Sequence, residues 1–391
     1  MALGTFLLQL RCDEDTEYYL DAALSTAHEL PNGGVLWYYP DNYRLNRFLG
    51  PDLSPSAISQ GRILGGLSRL DADCVIDLSE VTERVFLGLA FDYYNGGVCL
   101  EGSALLEIPL FRSAPEIILN GWLHALLHLH NYAKFYADPN ALDLVQANLR
   151  FLSKILPTFH DEKTELSLYS DLSPYKVRVQ HESGTPPHFA VFYAARTPEL
   201  SDLRFDLAFI SHDSVSPYDN QIVRQSSSST DVWISCSQQY DTYLVSDQPI
   251  TASMATGVYS PLRTMPGTGG QEILFASAPI GETHVIHVTS AREKLFAGSP
   301  TPFTKKGENY YHTQHIVALA CILATFDLEP DVRETFQARM ERWIETIESY
   351  AAGCEDLVFT PFGGVLRDLV NHDIFRLTDQ WDQLLGIARN R

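Results

Sequence analysis

The feature that most constrains this chain is a change of hydrophobic period along it. Apolar residues recur at helical spacing through the first 172 positions or so. They alternate with period two between about 175 and 289, and helical spacing returns from residue 310. In the first stretch the spacing predicts a helix over Thr16 to Leu30, stopped by Pro31-Asn32-Gly33-Gly34, and another over Ser56 to Leu70. A third runs from Asp77 to about Tyr94. Ile118 to Tyr136 and Pro139 to Leu156 follow, joined at Asp138-Pro139, where proline suits a first helical turn. Val98 to Leu100 and Ala104 to Leu110 read as a short hairpin between them.

The period-two region includes Lys176 to Gln180, His188 to Phe192, Arg204 to Phe209, Asp231 to Ser235, Glu272 to Phe275 and Thr283 to Val288. Turn-rich segments separate these runs, so the region predicts an antiparallel sandwich or barrel of about seven to nine strands. Helices are predicted again over Tyr310 to Phe326, Pro330 to Tyr350 and about Asp373 to Ala388. The expected fold is therefore α+β and multidomain: an α/α toroid, or helical barrel, carrying an inserted antiparallel β-sandwich or barrel domain. Its parts would be 1–172 (first part of the toroid), 173–298 (inserted β domain) and 299–391 (second part of the toroid). An inserted domain needs its two ends close together, which a sandwich provides.

Bulk properties exclude several functions. The net charge of −21 argues against nucleic-acid binding, which depends on Lys and Arg meeting phosphates. An acidic polysaccharide would need a local basic groove against this overall field. No apolar run reaches the length of a membrane helix, and Met1 to Leu10 lacks the basic start of a secretory signal. The six cysteines form no CxxC pair and read as isolated reduced thiols, which points to the cytoplasm and to no zinc site. Monomer and homodimer are both compatible with the sequence.

Three segments carry candidate chemistry. Asn120, at the start of the fourth helix, reads either as a cap or as a ligand contact. His124 and His128 follow as an i,i+4 pair. No glutamate lies between them in a HExxH arrangement, so rim histidines are the plainer reading than a metal site. Tyr310-Tyr311-His312-Thr313-Gln314-His315 places two phenols beside two imidazoles with no charged residue among them. That is either a buried hydrogen-bonded cluster or a sugar site with proton-transfer capacity. Ser59-Gln60-Gly61-Arg62 puts a glycine inside a helix, which calls for close packing or backbone approach.

Taken together, Ser56 to Gly61, Leu119-Asn120-Gly121, Leu152 to Asp161, Leu168-Tyr169 and Tyr311 to His315 resemble the C-terminal catalytic domain of the D-glucuronyl C5-epimerases. Phe336 to Ile347, with Arg342-Trp343, extends the likeness, which covers about 56–172 and 305–350. The resemblance implies a helical barrel with a β domain. It implies removal of the C5 proton from a uronate unit of a polysaccharide or oligosaccharide and its return to the other face, without a redox cofactor or metal. It places the catalytic glutamate and two tyrosines at Glu107, Tyr169 and Tyr311, with Glu116 competing for the glutamate role. Gln60, Arg62, Arg112, Asn120, His124, Tyr310, His312 and His315 are the expected substrate contacts.

The chain departs from the family pattern in two places. Ile108 stands where a tyrosine follows the glutamate, and Ser173 stands near where an arginine would hold the substrate carboxylate. Arg62, Arg112, His124 or a residue from the inserted domain are the candidates to meet that carboxylate instead. A lyase or glycoside hydrolase on the same toroid, with Glu107 paired with Glu116 or Asp171, is the alternative enzyme reading. A non-catalytic glycan-binding protein is the alternative without chemistry.

Overall fold

A computed structural model describes Leu7 and residues 15–39, 54–73, 77–107, 117–162, 165–181, 187–195, 222–224, 229–237, 240–255, 272–281, 283–291, 299–300 and 310–353. Arg204 to Phe209 and Asp373 to Ala388, read above as a strand and a helix, lie outside the described residues. Seven helices are described: α1 (Thr16–Leu24), α2 (Ala57–Asp73), α3 (Ser79–Leu89), α4 (Leu119–Phe135), α5 (Pro139–Ile155), α6 (Tyr310–Thr325) and α7 (Pro330–Gly353). Among the described residues no helix is long and apolar enough to cross a membrane.

Helix α4 is the centre of the helical part. It buries every residue from Leu119 to His130 and packs against α2, α5 and α6. A helix buried on all sides is one whose apolar residues are not confined to a stripe. Small residues allow α2 to come close: a Cβ on Gly61 would lie 3.0 Å from Ala125 Cα, and one on Gly65 would run into the His128 ring. On the opposite side Trp122 Nε1 donates to Asn148 Oδ1 at 2.7 Å, fixing α5. The start of α5 is set by Asp138, whose Oδ1 accepts from Asn140 N–H and Ala141 N–H, with Pro139 in the first turn.

Helix α1 stops at Leu24, short of the Leu30 expected from the apolar spacing. Ser25 and Thr26 hydroxyls donate back to the Ala22 and Ala23 carbonyls and help terminate the helix. His28–Glu29 (β1) then pairs antiparallel with Val35–Leu36 (β2) across a turn containing Gly33 at φ 81. Two more short strand pairings lie in the helical part of the chain. Tyr38–Tyr39 (β3) pairs with Ser54–Pro55 (β4), and Cys99–Leu100 (β5) pairs with Ala104–Leu105 (β6).

Leu168–Ser170 (β7) leads from the helices into two antiparallel sheets. The four-stranded sheet contains Leu172–Gln180 (β8), Ser229–Ser237 (β11), Thr251–Ala255 (β13) and Glu272–Ala276 (β14), in the order β11-β8-β13-β14. The five-stranded sheet contains His188–Ala195 (β9), Ile222–Arg224 (β10), Tyr240–Ser246 (β12), Ala278–Ile280 (β15) and Thr283–His287 (β16), in the order β10-β9-β12-β16-β15. Tyr175, Val177 and Val179 of one sheet share a core with Phe189, Val191, Leu244 and Ile286 of the other. This core is separate from the cluster that joins the helices. The two sheets thus contribute to one apolar layer.

The chain returns through Ser299–Pro300 (β17), which pairs antiparallel with β7 through Ser299 and Ser170. Entry to and exit from the β region therefore lie side by side. That pairing delivers the chain to α6 next to the strand from which it departed.

Candidate active site

Strand β7 and helix α6 meet where the β region leaves and rejoins the helices. Along a strand, alternate residues share a face, so Tyr169 and its neighbour Ser167 point the same way. Along a helix, residues four apart share a face, so Tyr311 lies over His315. The two faces meet. The half-buried rings of Tyr169 and Tyr311 pack edge to face, with centroids 4.7 Å apart and planes at 67°.

A fully buried hydrogen-bonded array lies beneath them. Ser167 N–H donates to His312 Nδ1 at 2.9 Å, and Ser167 Oγ lies 2.9 Å from the same nitrogen and 2.7 Å from His315 Nδ1. His312 Nε2 lies 3.2 Å from the Trp343 carbonyl oxygen. A carbonyl only accepts, so Nε2 carries the proton and Nδ1 presents its lone pair to Ser167. Burial pushes His312 down to about 4 and holds His315 well below the ordinary imidazole range, with His312 and His124 adding to the second effect. Both rings are neutral near pH 7. His315 Nε2 is buried and has no hydrogen-bond partner among the described residues.

The N-terminal end of α4 adjoins this arrangement. Ile118 pairs with Ser170, and Ile117 N–H donates to Asp171 Oδ1 at 2.8 Å while its carbonyl accepts from Asp171 N–H. Three residues on, Gly121 makes room for Glu107: a Cβ there would run into the Glu107 Cβ and its carboxylate. Glu107 is half-buried and is thereby held at the same end of α4 to which β7 is tied.

The other expected contacts divide. His312 and His315 belong to the buried array, and His124, itself buried, lies close enough to act electrostatically on His315. His128 instead faces Gly65, so the i,i+4 histidines serve different neighbours. Asn120 is not the cap of α4. Ile118 holds that position in an extended conformation, and Asn120 is buried in the first turn, its Oδ1 without a hydrogen-bond partner among the described residues. Gln60 is buried away from solvent. Its Nε2 donates to the Val35 carbonyl at 2.6 Å and the Val85 carbonyl at 3.1 Å, joining β2 to α3, which is a packing role. Arg62 is half-buried on α2. Arg112, Glu116 and the Tyr310 side chain lie outside the described residues.

Two elements of the arrangement escaped the sequence reading. Ser167 had no local signal, since only long-range pairing brings it between two histidines. The second is a groove where the turn after α5 meets α7. Trp343 Nε1 donates to His160 Nδ1 at 3.3 Å, so His160 carries its proton on Nε2, 3.3 Å from Glu165 Oε2. Burial, followed by nearby Arg339, lowers the His160 pKa and keeps it neutral. His160, Glu162 and Glu165 bring one ligand-type atom each within 4.8 Å of one another. However, Arg342 occupies Glu165 through Nε at 2.7 Å and Nη2 at 2.6 Å, and the imidazole proton faces the carboxylates. This set is a hydrogen-bonded ion-pair cluster. Comparison with family models, curated proteins and solved structures finds no match to this chain.

Proposed function

We propose that this protein is a carbohydrate-active enzyme of the uronate C5-epimerase type, working at the Tyr169–Tyr311 cleft on a helical toroid. The observation that carries the reading is the contact of these two half-buried phenols at 4.7 Å, across the whole β region that separates them in sequence. Epimerisation needs two groups able to exchange a proton with carbon on opposite faces of a sugar ring. A phenolate of one tyrosine would take the C5 proton, and the carboxylate would delocalise the electron pair as an enolate. Because the two rings are in contact, no sugar ring enters between them, and the second phenol would relay the abstracted proton away on that same face. The neutral carboxyl of Glu107, positioned by Gly121, is proposed to deliver a proton to the opposite face.

The neutral array of Ser167, His312 and His315 supports this role by packing polar but uncharged groups behind the tyrosines. The helical hairpins α2–α3, α4–α5 and α6–α7 supply the succession a toroid requires. Among the alternative readings, a hydrolase pairing Glu107 with Asp171 is disfavoured because Asp171 is buried and its Oδ1 accepts from Ile117 N–H. A lyase shares the first proton transfer and then expels the O4 substituent. Incubation with uronate-containing polysaccharides in heavy water decides between them. Deuterium at C5 without ultraviolet absorbance from an unsaturated product supports epimerisation. Absorbance growth supports a lyase, and neither signal with any uronate polymer sinks both.

A further inference from the structure

We propose that the groove between residues 157–162 and α7 is a subsite for a second acidic sugar unit, in which Arg339 receives the carboxylate and Glu162 and Thr335 receive hydroxyls. The groove encloses about 390 Å³ and is lined by Pro157, His160 and Glu162 on one side and by Thr335, Arg339 and Arg342 on the other. That volume lies within the range of small-ligand sites.

The two arginines differ in what they are doing. Arg342 is spent on Glu165, and Glu165 is held from behind as well: its carbonyl accepts from Thr346 Oγ1 at 3.0 Å and its backbone stands at φ 59. Arg339 is half-buried and makes no hydrogen bond or ion pair among the described residues. A partly desolvated guanidinium whose donors no described residue accepts is stabilised by a planar anion that accepts two of them. Burial already lowers its pKa, whereas the Glu162 and Glu165 carboxylates oppose that effect.

Those carboxylates also select the charge of the ligand. A doubly charged phosphate or sulfate would meet two like charges across the groove. A single carboxylate on a ring bearing hydroxyls meets the Arg339 guanidinium, while its hydroxyls donate to Glu162. Thr335 Oγ1 donates to the Asp331 carbonyl and keeps its lone pairs available. The back wall of the groove connects to the cleft: His160 is hydrogen-bonded to Trp343, whose ring packs on His312 and His315. His160, Trp343 and the two histidines thus form one packed layer between the groove and the Tyr169–Tyr311 pair. The choice of a sugar among carboxylates rests on the function proposed above.

The test is calorimetric binding of methyl β-D-glucuronide, methyl β-D-glucoside and glycine to wild type, Arg339→Gln and Arg339→Lys, with melting temperatures as a folding control. The glucuronide should bind wild type. Its affinity should fall about tenfold or more in Arg339→Gln and less in Arg339→Lys, which keeps charge but not the fork. Equal affinity of Arg339→Gln and wild type overturns the proposal. So does equal binding of the neutral glucoside, or preferential binding of the amino acid. Absence of C5 exchange together with Arg339-dependent glucuronide binding refutes the epimerase reading and leaves the subsite standing.

Discussion

Tyr169 and Tyr311 touch edge to face, their centroids 4.7 Å apart, although one precedes and the other follows the two antiparallel sheets in sequence. The contact depends on the pairing of β7 with β17, which returns the chain beside its point of departure. In the proposed reaction each phenol does one proton transfer, so the two are not interchangeable with phenylalanine. Both rings are half-buried, and the hydroxyls contribute little to packing compared with the rings themselves.

Tyr311→Phe and Tyr169→Phe should therefore each lower C5 deuterium incorporation by roughly a hundredfold or more, the scale of lost acid–base catalysis. Their melting temperatures should stay close to wild type. Mass spectrometry of product uronates and a thermal melt read the two quantities separately. A large stability loss with either variant would reassign the pair to packing.

Ser167 is the hinge of the buried array, because its hydroxyl lies within 3 Å of two histidine nitrogens. Ser167→Ala keeps the backbone N–H bond to His312 Nδ1 but leaves His315, which among the described residues has no partner at Nε2, with none at Nδ1 either. Leaving a buried polar atom unsatisfied costs about 1–3 kcal/mol. Urea denaturation should show a loss of that size, and a variant as stable as wild type would mean that the serine hydroxyl does not hold the array.

Acid should destabilise the fold before the carboxylates titrate. Burial holds His312 at about 4, and burial with Lys134 nearby holds His130 at about 4, while burial also holds His315 well below the ordinary imidazole range and lowers His160. A depressed folded-state pKa means that the unfolded chain takes up protons first. The stability is complete above the unfolded value near 6.5 and is lost progressively as pH falls towards about 4. Urea midpoints should decline steadily across that window. His130 stacks on Phe326 with centroids 3.7 Å apart, so His130→Phe keeps an aromatic ring there. It should make the slope shallower by about one proton. An unchanged slope would mean that His130 is not buried in its neutral form.

The fold was legible where periodicity is local. The spacing around Leu119 to Phe135 and the alternation around Lys176 to Gln180 each locate an element to within a few residues. It was less legible where a distant partner sets a boundary. Asn120 looks like a cap in sequence, but Ile118 is drawn into extended conformation by Ser170, so the helix begins two residues earlier than a capping asparagine would place it. The expected end of α1 was likewise displaced by β1 pairing with β2. At the site, Tyr311 and its histidines stood out because four aromatic and imidazole side chains crowd six positions. Ser167 and the Arg339 groove did not, because neither is unusual until segments far apart in sequence meet.

Gly121 offers the sharpest test of Glu107. In an exposed helix, Gly→Ala is stabilising by about 1 kcal/mol. Here the new methyl group would run into the Cβ and carboxylate of Glu107, so either the glutamate or the helix must move. The glutamate is on a loop and the helix is buried from Leu119 to His130, so the glutamate should yield. Gly121→Ala should retain the helical circular dichroism of wild type while C5 exchange falls about tenfold or more. Adding Glu107→Gly removes the obstructing side chain. The double variant should recover stability relative to Gly121→Ala, with a coupling energy measurable by urea denaturation, yet remain inactive. If Gly121→Ala exchanges deuterium as fast as wild type, Glu107 is not held where proton transfer needs it, and the glutamate role passes to Glu116.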